Sequence, residues 1–210
     1  LKPKAMTQIT KSLPRVAWES VTVQENGEVV LPIPETTRLK LGWVKKQYEA
    51  SFTARKTAVE KLLKASESLP EGLVLVVVEG VRTLDHQRFG WNSKWEHVKA
   101  ENPTWSDEQI EKAVRLVVAK PAPLANHNCG GAVDVVLGRV DGTLVDMGAP
   151  YPSHGSDMDF ASKFPMLSLD ITDEQKANRK ILREAMESQG FVWYPGEWWH
   201  YCYGDRMWAV

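Results

Sequence analysis

The run LVLVVVEG at residues 73–80 limits the fold of this 210-residue chain more than any other feature. It is continuously apolar and rich in β-branched valine, which is typical of a strand that is covered on both faces. Such a strand needs hydrogen-bonding neighbours at its edges and further layers over its faces. The sequence therefore predicts a sheet with this segment at its centre.

Segments with helical patterns lie before and after this strand in the sequence. Residues 48–66, 83–100 and 173–189 have the apolar spacing or the composition of helices. Ser106 and Gln109 form a capping-box signature ahead of a further apolar helical stripe. The chain therefore supplies several helices that can flank the sheet.

Other segments supply the remaining strands. AVDVVLGRVDGTLVDM, at 132–147, predicts a hairpin that turns at Asp141-Gly142, and FVWY and WWHYCYG predict two short strands near the end. Residues 1–40 are interrupted by proline and predict an irregular N-terminal wrap with a short strand near EVVLPI. We expect one domain over 1–210, of class α+β, with a central antiparallel sheet flanked by helices.

Composition narrows the class of function. The net charge of −1 does not indicate a nucleic-acid partner, and no apolar stretch is long enough to span a membrane. The opening LKPKAMTQIT lacks the apolar centre of a signal peptide, so we expect a cytoplasmic protein, or a periplasmic one where a leader has been removed. The sequence leaves the oligomeric state open.

The segment NHNCGGAVDV, at 126–135, places a histidine and an aspartate against an apolar strand. A carboxylate is costly to bury unless a hydrogen-bond network or a metal satisfies it. The pair Gly130-Gly131 allows His127 to lie on a loop and Asp134 to lie early in the strand. Either a network or a metal site is therefore expected here.

PGEWWHYCYG, at 195–204, offers a third ligand. We expect Glu197 at the start of a strand and His200 within it. A catalytic zinc site uses three protein ligands and leaves one position for water, which fits His127, Asp134 and His200 with Glu197 as proton acceptor. Spacing alone leaves plainer alternatives open: core or surface histidines, a turn carboxylate, or a salt bridge between Glu197 and His200.

These residues also carry a family resemblance. His127, Gly130, Ala132 and Asp134 fit H-x-x-G-x-A-x-D, and EWWH fits E-x-W-H, two motifs of zinc D,D-peptidases. GVRTLDHQ and LVDMGAPYP resemble further segments of that group. Over about residues 75–205 the chain resembles the D-alanyl-D-alanine dipeptidases of the vancomycin-resistance type.

The resemblance implies hydrolysis of D-Ala-D-Ala, a small peptide substrate, at a zinc site on the sheet. It implies one Zn²⁺ per chain, held by His127, Asp134 and His200. Glu197 is then the general base, and afterwards the acid that protonates the leaving amine. Arg82 is expected to stabilise the developing oxyanion.

Two of these expectations have structural alternatives. Arg82 can instead form a surface salt bridge with Asp85 or Glu79. Asp146 is the candidate for binding a free substrate ammonium, and the alternative is a turn residue that closes the hairpin.

The aromatic residues Trp198 and Trp199 are expected to wall the substrate site and exclude water. The chain departs from the family pattern at Ala125, where a serine is usual, and at Val81, where a tyrosine is usual. Both departures leave the zinc chemistry intact but loosen the assignment of substrate.

Two other functions remain in view. One is a zinc D,D-carboxypeptidase or endolysin-like peptidase that acts on longer cell-wall peptides. The other is an inactive, zinc-stabilised cell-wall binding module, which would need neither Glu197 nor Arg82. Cys129 and Cys202 flank the metal motifs, and we expect two reduced thiols rather than a disulfide.

Overall fold

The structure is a computed structural model that describes residues 21–46, 48–115, 118–122, 124–152 and 160–210. The strands are β1 Val30–Pro32, β2 Leu39–Leu41, β3 Thr53–Arg55, β4 Leu73–Glu79, β5 Ala132–Arg139, β6 Val192–Trp193 and β7 His200–Cys202. The helices are α1 Lys56–Glu67, α2 Leu84–Glu101, α3 Asp107–Val114 and α4 Asp173–Glu187, with a 3₁₀ turn at Asn126–Cys129. Among these helices, none combines the length and apolarity needed to cross a bilayer.

Five strands form the central sheet, in the order β2-β4-β5-β7-β6. β4 lies inside it, as its continuously apolar sequence predicts, and its residues from Val74 to Glu79 are buried. Strands β4, β5, β7 and β6 pair antiparallel, whereas β2 pairs with β4 in parallel. The predicted α+β class is confirmed, and the parallel edge strand is the exception to the antiparallel pattern.

Two helices bury their apolar stripes in the main core. Leu62 of α1 and Leu182 and Met186 of α4 are fully buried there with the valines of β4 and β5. Helices α2 and α3 pack on each other around a separate, smaller apolar cluster that contains Trp91, Val98, Ile110 and Val114. The capping box of Ser106 and Gln109 at the start of α3 is confirmed.

A β-bulge lies where β4 meets the start of β5. Val77 pairs with Val135, but the next pair is Glu79 with Asp134, so one residue of β4 has no partner. With regular alternation Glu79 would lie on the same face as Val77. The bulge instead brings Glu79 beside Asp134, and bulges often re-aim a side chain in this way next to a functional site.

Some predicted boundaries are wrong. The helix predicted from residue 48 begins at Lys56, because Thr53–Arg55 pair with β1 in a separate two-stranded sheet. The predicted hairpin does turn at Asp141-Gly142, where the Arg139 N–H donates to the Thr143 carbonyl at 2.8 Å, but its return is an isolated bridge between Gly138 and Leu144 rather than a strand.

The predicted N-terminal wrap, residues 1–40, lies partly within the described residues. Its short strand is β1, but its end, from Leu39, belongs to the central sheet through β2. Residues 1–20 of the wrap lie outside the described residues.

Candidate metal centre

Three side chains of the predicted ligand set converge on one point. His127 comes from the 3₁₀ turn, Asp134 is the third residue of β5 and His200 is the first residue of β7. Asp134 Oδ1 lies 3.2 Å from His127 Nε2 and 3.1 Å from His200 Nδ1, and the two ring nitrogens are 3.2 Å apart. The cross-strand pairing of Asp134 with His200 explains why residues so distant in sequence meet.

The paired glycines of the motif make this approach possible. Gly130 ends the 3₁₀ turn with φ of 76°, in the left-handed region that favours glycine. A Cβ on Gly131 would lie 2.8 Å from the carbonyl oxygen of Tyr203. The chain therefore needs both glycines to pass from the turn that carries His127 into β5.

A hydrogen bond fixes the orientation of the His127 ring. Its Nδ1 lies 2.8 Å from the carbonyl oxygen of Gly80, at the end of β4. That carbonyl can only accept, so Nδ1 carries the proton and Nε2 presents its lone pair to the other two ligands. A backbone carbonyl behind the ring is a common support for a metal-binding histidine.

The donor set fits a divalent metal. Asp134 is only 2% exposed. Burial opposes its ionisation, but its electrostatic and hydrogen-bond contacts with His127 and His200 hold the pKa of Asp134 well below its usual value. Two imidazole nitrogens and one carboxylate oxygen within hydrogen-bond distance of one another are a ligand set that suits zinc.

Glu197 lies in the turn that precedes β7, so its predicted place at the start of that strand is wrong. Its backbone N–H donates to the carbonyl oxygen of Tyr194 at 3.1 Å, which closes the turn. Burial raises the pKa of the Glu197 carboxyl. A raised pKa suits a carboxylate that has to accept a proton and then release it.

Arg82 is anchored by a buried carboxylate. Its Nε and Nη2 donate to the two oxygens of Glu79 at 3.1 and 2.6 Å, and its Nη1 donates to Gln87 Oε1 at 3.0 Å. Its backbone N–H donates to the carbonyl oxygen of His127 at 3.1 Å, which joins this segment to the metal loop. The pair with Glu79 is not the surface salt bridge of the alternative, because Glu79 is 1% exposed.

Sequence reasoning missed the groups behind these residues. The Tyr151 hydroxyl donates to Asp134 Oδ2 at 2.8 Å, and Lys46 Nζ lies 2.6 Å from Glu79 Oε2. The one signal for this network was Glu79, a carboxylate that ends an otherwise apolar strand. Lys46 reaches it from a distant segment that carries no comparable signal, whereas Tyr151 lies in the segment LVDMGAPYP, whose resemblance to the family assigned it no role.

A pocket of about 320 Å³ is lined in part by Tyr151, whose hydroxyl binds Asp134, but its lining does not include His127, Asp134 or His200. Its mostly apolar lining includes Val136, which follows Asp134 on the same face of β5, as well as Trp198 and the exposed Asp146. Trp199 is not part of that lining, but its ring packs edge-on against the Tyr151 ring at 5.4 Å. Trp198 therefore lines the pocket directly, whereas Trp199 packs against the pocket residue Tyr151.

The Asp146 carboxylate already has two hydrogen-bond donors. The Gly148 N–H and the Gln175 side-chain amide each donate to it at 2.8 Å. These bonds agree with the alternative that Asp146 is a turn residue. The role of Asp146 in binding an ammonium stays a prediction. Cys129 and Cys202 are free, as expected.

Comparison with known proteins gives consistent matches. The profile of the Peptidase_M15 family, described as D-ala-D-ala dipeptidase, matches residues 41–209. A D-alanyl-D-alanine dipeptidase of Enterococcus faecium is 31% identical over 151 residues, which cover 70% of this chain and 71% of the relative. Another, from Enterococcus faecalis, is 35% identical over 94 residues, which cover 44% and 43% of the two chains.

Solved structures give more distant likenesses. A mutant of the vancomycin resistance D,D-pentapeptidase VanY, in complex with Zn(II), is 19% identical with a TM-score of 0.44, over 84% of each chain. VanYB in complex with D-Alanine-D-Alanine is 18% identical with a TM-score of 0.45, over 78% of this chain and 82% of the other. Likenesses of this degree say nothing about individual side chains.

Proposed function

The chain belongs to the D-Ala-D-Ala dipeptidase family of metallopeptidases, and from that premise we propose that it is a zinc-dependent hydrolase of the D-Ala-D-Ala dipeptide. One observation carries the proposal: the ligand atoms of His127, Asp134 and His200 lie 3.1–3.2 Å from one another. A buried carboxylate facing two imidazole lone pairs is stabilised when a cation lies between them.

We assign one zinc ion per chain to these three residues. When bound, zinc supplies a Lewis acid that polarises a peptide carbonyl and makes a water molecule more acidic. The Gly80 carbonyl behind His127 and the Tyr151 hydroxyl on Asp134 hold two of the ligands in place before any metal arrives.

The protein's own acid–base and electrostatic groups are Glu197 and Arg82. Glu197 takes a proton from the attacking water and gives it to the nitrogen of the leaving D-alanine. The guanidinium of Arg82, held in a fixed direction by Glu79, offers positive charge to the oxygen that becomes negative. A positioned arginine suits this task because it stays protonated at any working pH.

The substrate occupies the pocket beside the metal centre in this proposal. Its lining is mostly apolar and includes Trp198, which suits a site that excludes water, and Trp199 packs against the ring of Tyr151. Asp146 lines the same pocket, and in this proposal its carboxylate attracts the free ammonium of a dipeptide.

One observation favours a second candidate, a D,D-carboxypeptidase that acts on longer peptides. The Asp146 carboxylate is exposed and already accepts hydrogen bonds from Gly148 and Gln175, so it offers a substrate ammonium only its remaining lone pairs. An enzyme that does not bind a free amine would accept an acylated peptide equally well.

The deciding assay measures D-alanine released from D-Ala-D-Ala and, in parallel, from an N-acylated peptide that ends in D-Ala-D-Ala. Cleavage of the dipeptide alone supports the dipeptidase, and cleavage of the acylated peptide supports the carboxypeptidase. Bound zinc without hydrolysis of either substrate would contradict both and favour a binding module.

The role of Glu197 has its own test. We expect Glu197→Ala to keep its zinc but to lose turnover by about 10²–10⁴-fold, the usual contribution of a general acid–base group. Glu101→Ala, at the exposed end of α2, is the matched control and should retain full activity. Turnover by Glu197→Ala at the control's rate would show that another group moves the proton.

A further inference from the structure

Lys46 is a buried cation that the proposed mechanism does not use. Its side chain is 4% exposed, and its Nζ lies 2.6 Å from Glu79 Oε2. It also donates to the Tyr48 hydroxyl at 3.0 Å, and it lies 4.8 Å from the ring centres of both Tyr48 and Tyr151. A lysine is rarely buried to this degree without a specific partner.

Two cations share one carboxylate in the network around Lys46. Glu79 is the carboxylate that binds both Lys46 and Arg82 directly, and Asp134 is the next carboxylate along the network. The Tyr48 hydroxyl donates to the Glu79 oxygens at 2.9 and 2.8 Å and adds no charge. One carboxylate therefore faces two cations in a setting that water screens poorly.

The Lys46 ammonium group lies close to a proposed metal ligand. The Tyr151 hydroxyl, 3.4 Å from Glu79 Oε2, donates to Asp134 Oδ2 at 2.8 Å. Lys46 is thus joined to Asp134 by a short path through Glu79 and Tyr151. A positive charge at this separation repels a dication between the ligands and attracts the carboxylate and the developing oxyanion of a peptide substrate.

We propose that Lys46 is a positioning residue whose ammonium group, acting through Glu79 and Tyr151, weakens metal binding at Asp134 and favours the negative groups of the substrate. The part that concerns substrate rests on the proposed peptidase function, whereas the part that concerns metal does not.

The test measures zinc affinity by competition with a chelator, with no substrate present. Lys46→Met removes the charge, and we expect zinc to bind about tenfold more tightly, since a cation near the dication has been deleted. The same variant should lose about tenfold in kcat/KM for D-Ala-D-Ala. General damage to the site would weaken metal binding, so tighter binding combined with slower turnover is specific to the proposal.

Three variants complete the design. Lys46→Gln removes the charge but keeps a hydrogen-bond donor, and it replaces Lys46→Met if the latter does not fold. Lys46→Arg keeps the charge and should restore both zinc affinity and kcat/KM towards those of the unaltered protein. Tyr48→Phe loses a contact to the same carboxylate without a change in charge, and its zinc affinity should stay unchanged.

Zinc affinity that is unchanged or weaker in both Lys46→Met and Lys46→Gln would overturn the proposal, as would equal effects of Tyr48→Phe and Lys46→Gln. Failure of the proposed function has a different signature. In that case the unaltered protein releases no D-alanine, while the order of zinc affinities among the variants still tests the role of Lys46.

Discussion

Asp134 and Glu79 are neighbours that differ in the partners they meet. Both are buried carboxylates, 2% and 1% exposed, and they face each other across β5 and β4. Glu79 is surrounded by cations that the protein itself supplies, Lys46 and Arg82. Asp134 instead meets two imidazoles that can be neutral and one hydroxyl, so its compensating charge has to come from protons or from a metal.

Burial alone therefore does not separate a metal ligand from a structural ion pair. The guanidinium of Arg82 holds the pKa of Glu79 at about 2 although burial opposes ionisation, and the pKa of Asp134 is likewise held well below its usual value. Both groups are ionised, but of the two it is Asp134 that we propose presents its charge to a cation from solution. What distinguishes them is the chemistry of the partners.

The largest expected effect is a loss of bound zinc, which should follow a change at Asp134 but not a change at Glu79. Asp134→Asn removes an anionic ligand, and we expect loss of stoichiometric zinc and of at least about 10³-fold in turnover, because the metal-dependent step is lost. Zinc per chain is measured by atomic emission after gel filtration. Asp141→Asn, in the exposed turn beyond β5, is the control and should bind one zinc ion.

A full zinc complement in Asp134→Asn would remove Asp134 from the ligand set. It would also remove the contrast with Glu79, since both carboxylates would then be structural.

The second effect is on stability. Glu79→Gln leaves Lys46 and Arg82 buried without their shared anion, and breaking a buried ion pair in this way costs about 3–5 kcal/mol in the free energy of unfolding. We expect the variant to bind zinc, though more weakly, when the metal is in excess. Urea unfolding of the metal-free proteins measures the loss, with the exposed Glu71→Gln as control.

An unfolding free energy that matches the Glu71→Gln control would mean that the Glu79 network contributes nothing net to the fold. Complete loss of zinc from Glu79→Gln would mean that the two carboxylates act as one metal site.

The same contrast shows what the sequence could predict. Asp134, His127 and His200 follow from short motifs, because two glycines and a pair of adjacent strands are enough to bring them together. Glu79 and Lys46 meet only because a bulge turns one side chain through the sheet and a distant segment lies over it. No local pattern encodes either event.

The boundaries of helices and strands also divide into those that local sequence predicts and those that depend on tertiary contacts. The capping box at Ser106 fixes the start of α3 from four residues of sequence, and the prediction is confirmed. The start of α1 depends instead on the pairing of Thr53–Arg55 with β1, a tertiary contact that overrides the helical pattern seen from residue 48. After β5 the predicted turn forms, but the returning segment makes an isolated bridge from Leu144 to Gly138 instead of a full strand.

The smallest expected effect concerns two helix caps that do not contact Asp134 or Glu79. Ser106→Ala and Thr172→Ala each remove one side-chain acceptor of a capping box, and each should lower the free energy of unfolding by about 1 kcal/mol. Neither should change zinc affinity, because neither removes charge near Asp134 or Glu79. A change in zinc affinity in either variant would mean that the Lys46 and Glu79 effects report lost stability rather than charge.

The two caps should nevertheless differ in KM. The Thr172 box holds Gln175, whose amide donates to Asp146 at 2.8 Å at the rim of the pocket, whereas the Ser106 box belongs to the separate α2–α3 cluster. Thr172→Ala should therefore raise KM for D-Ala-D-Ala, by about twofold to fivefold for a change of this energy, and Ser106→Ala should not. Equal KM values would place Asp146 outside substrate binding, because loosening its support would then have no effect on the dipeptide.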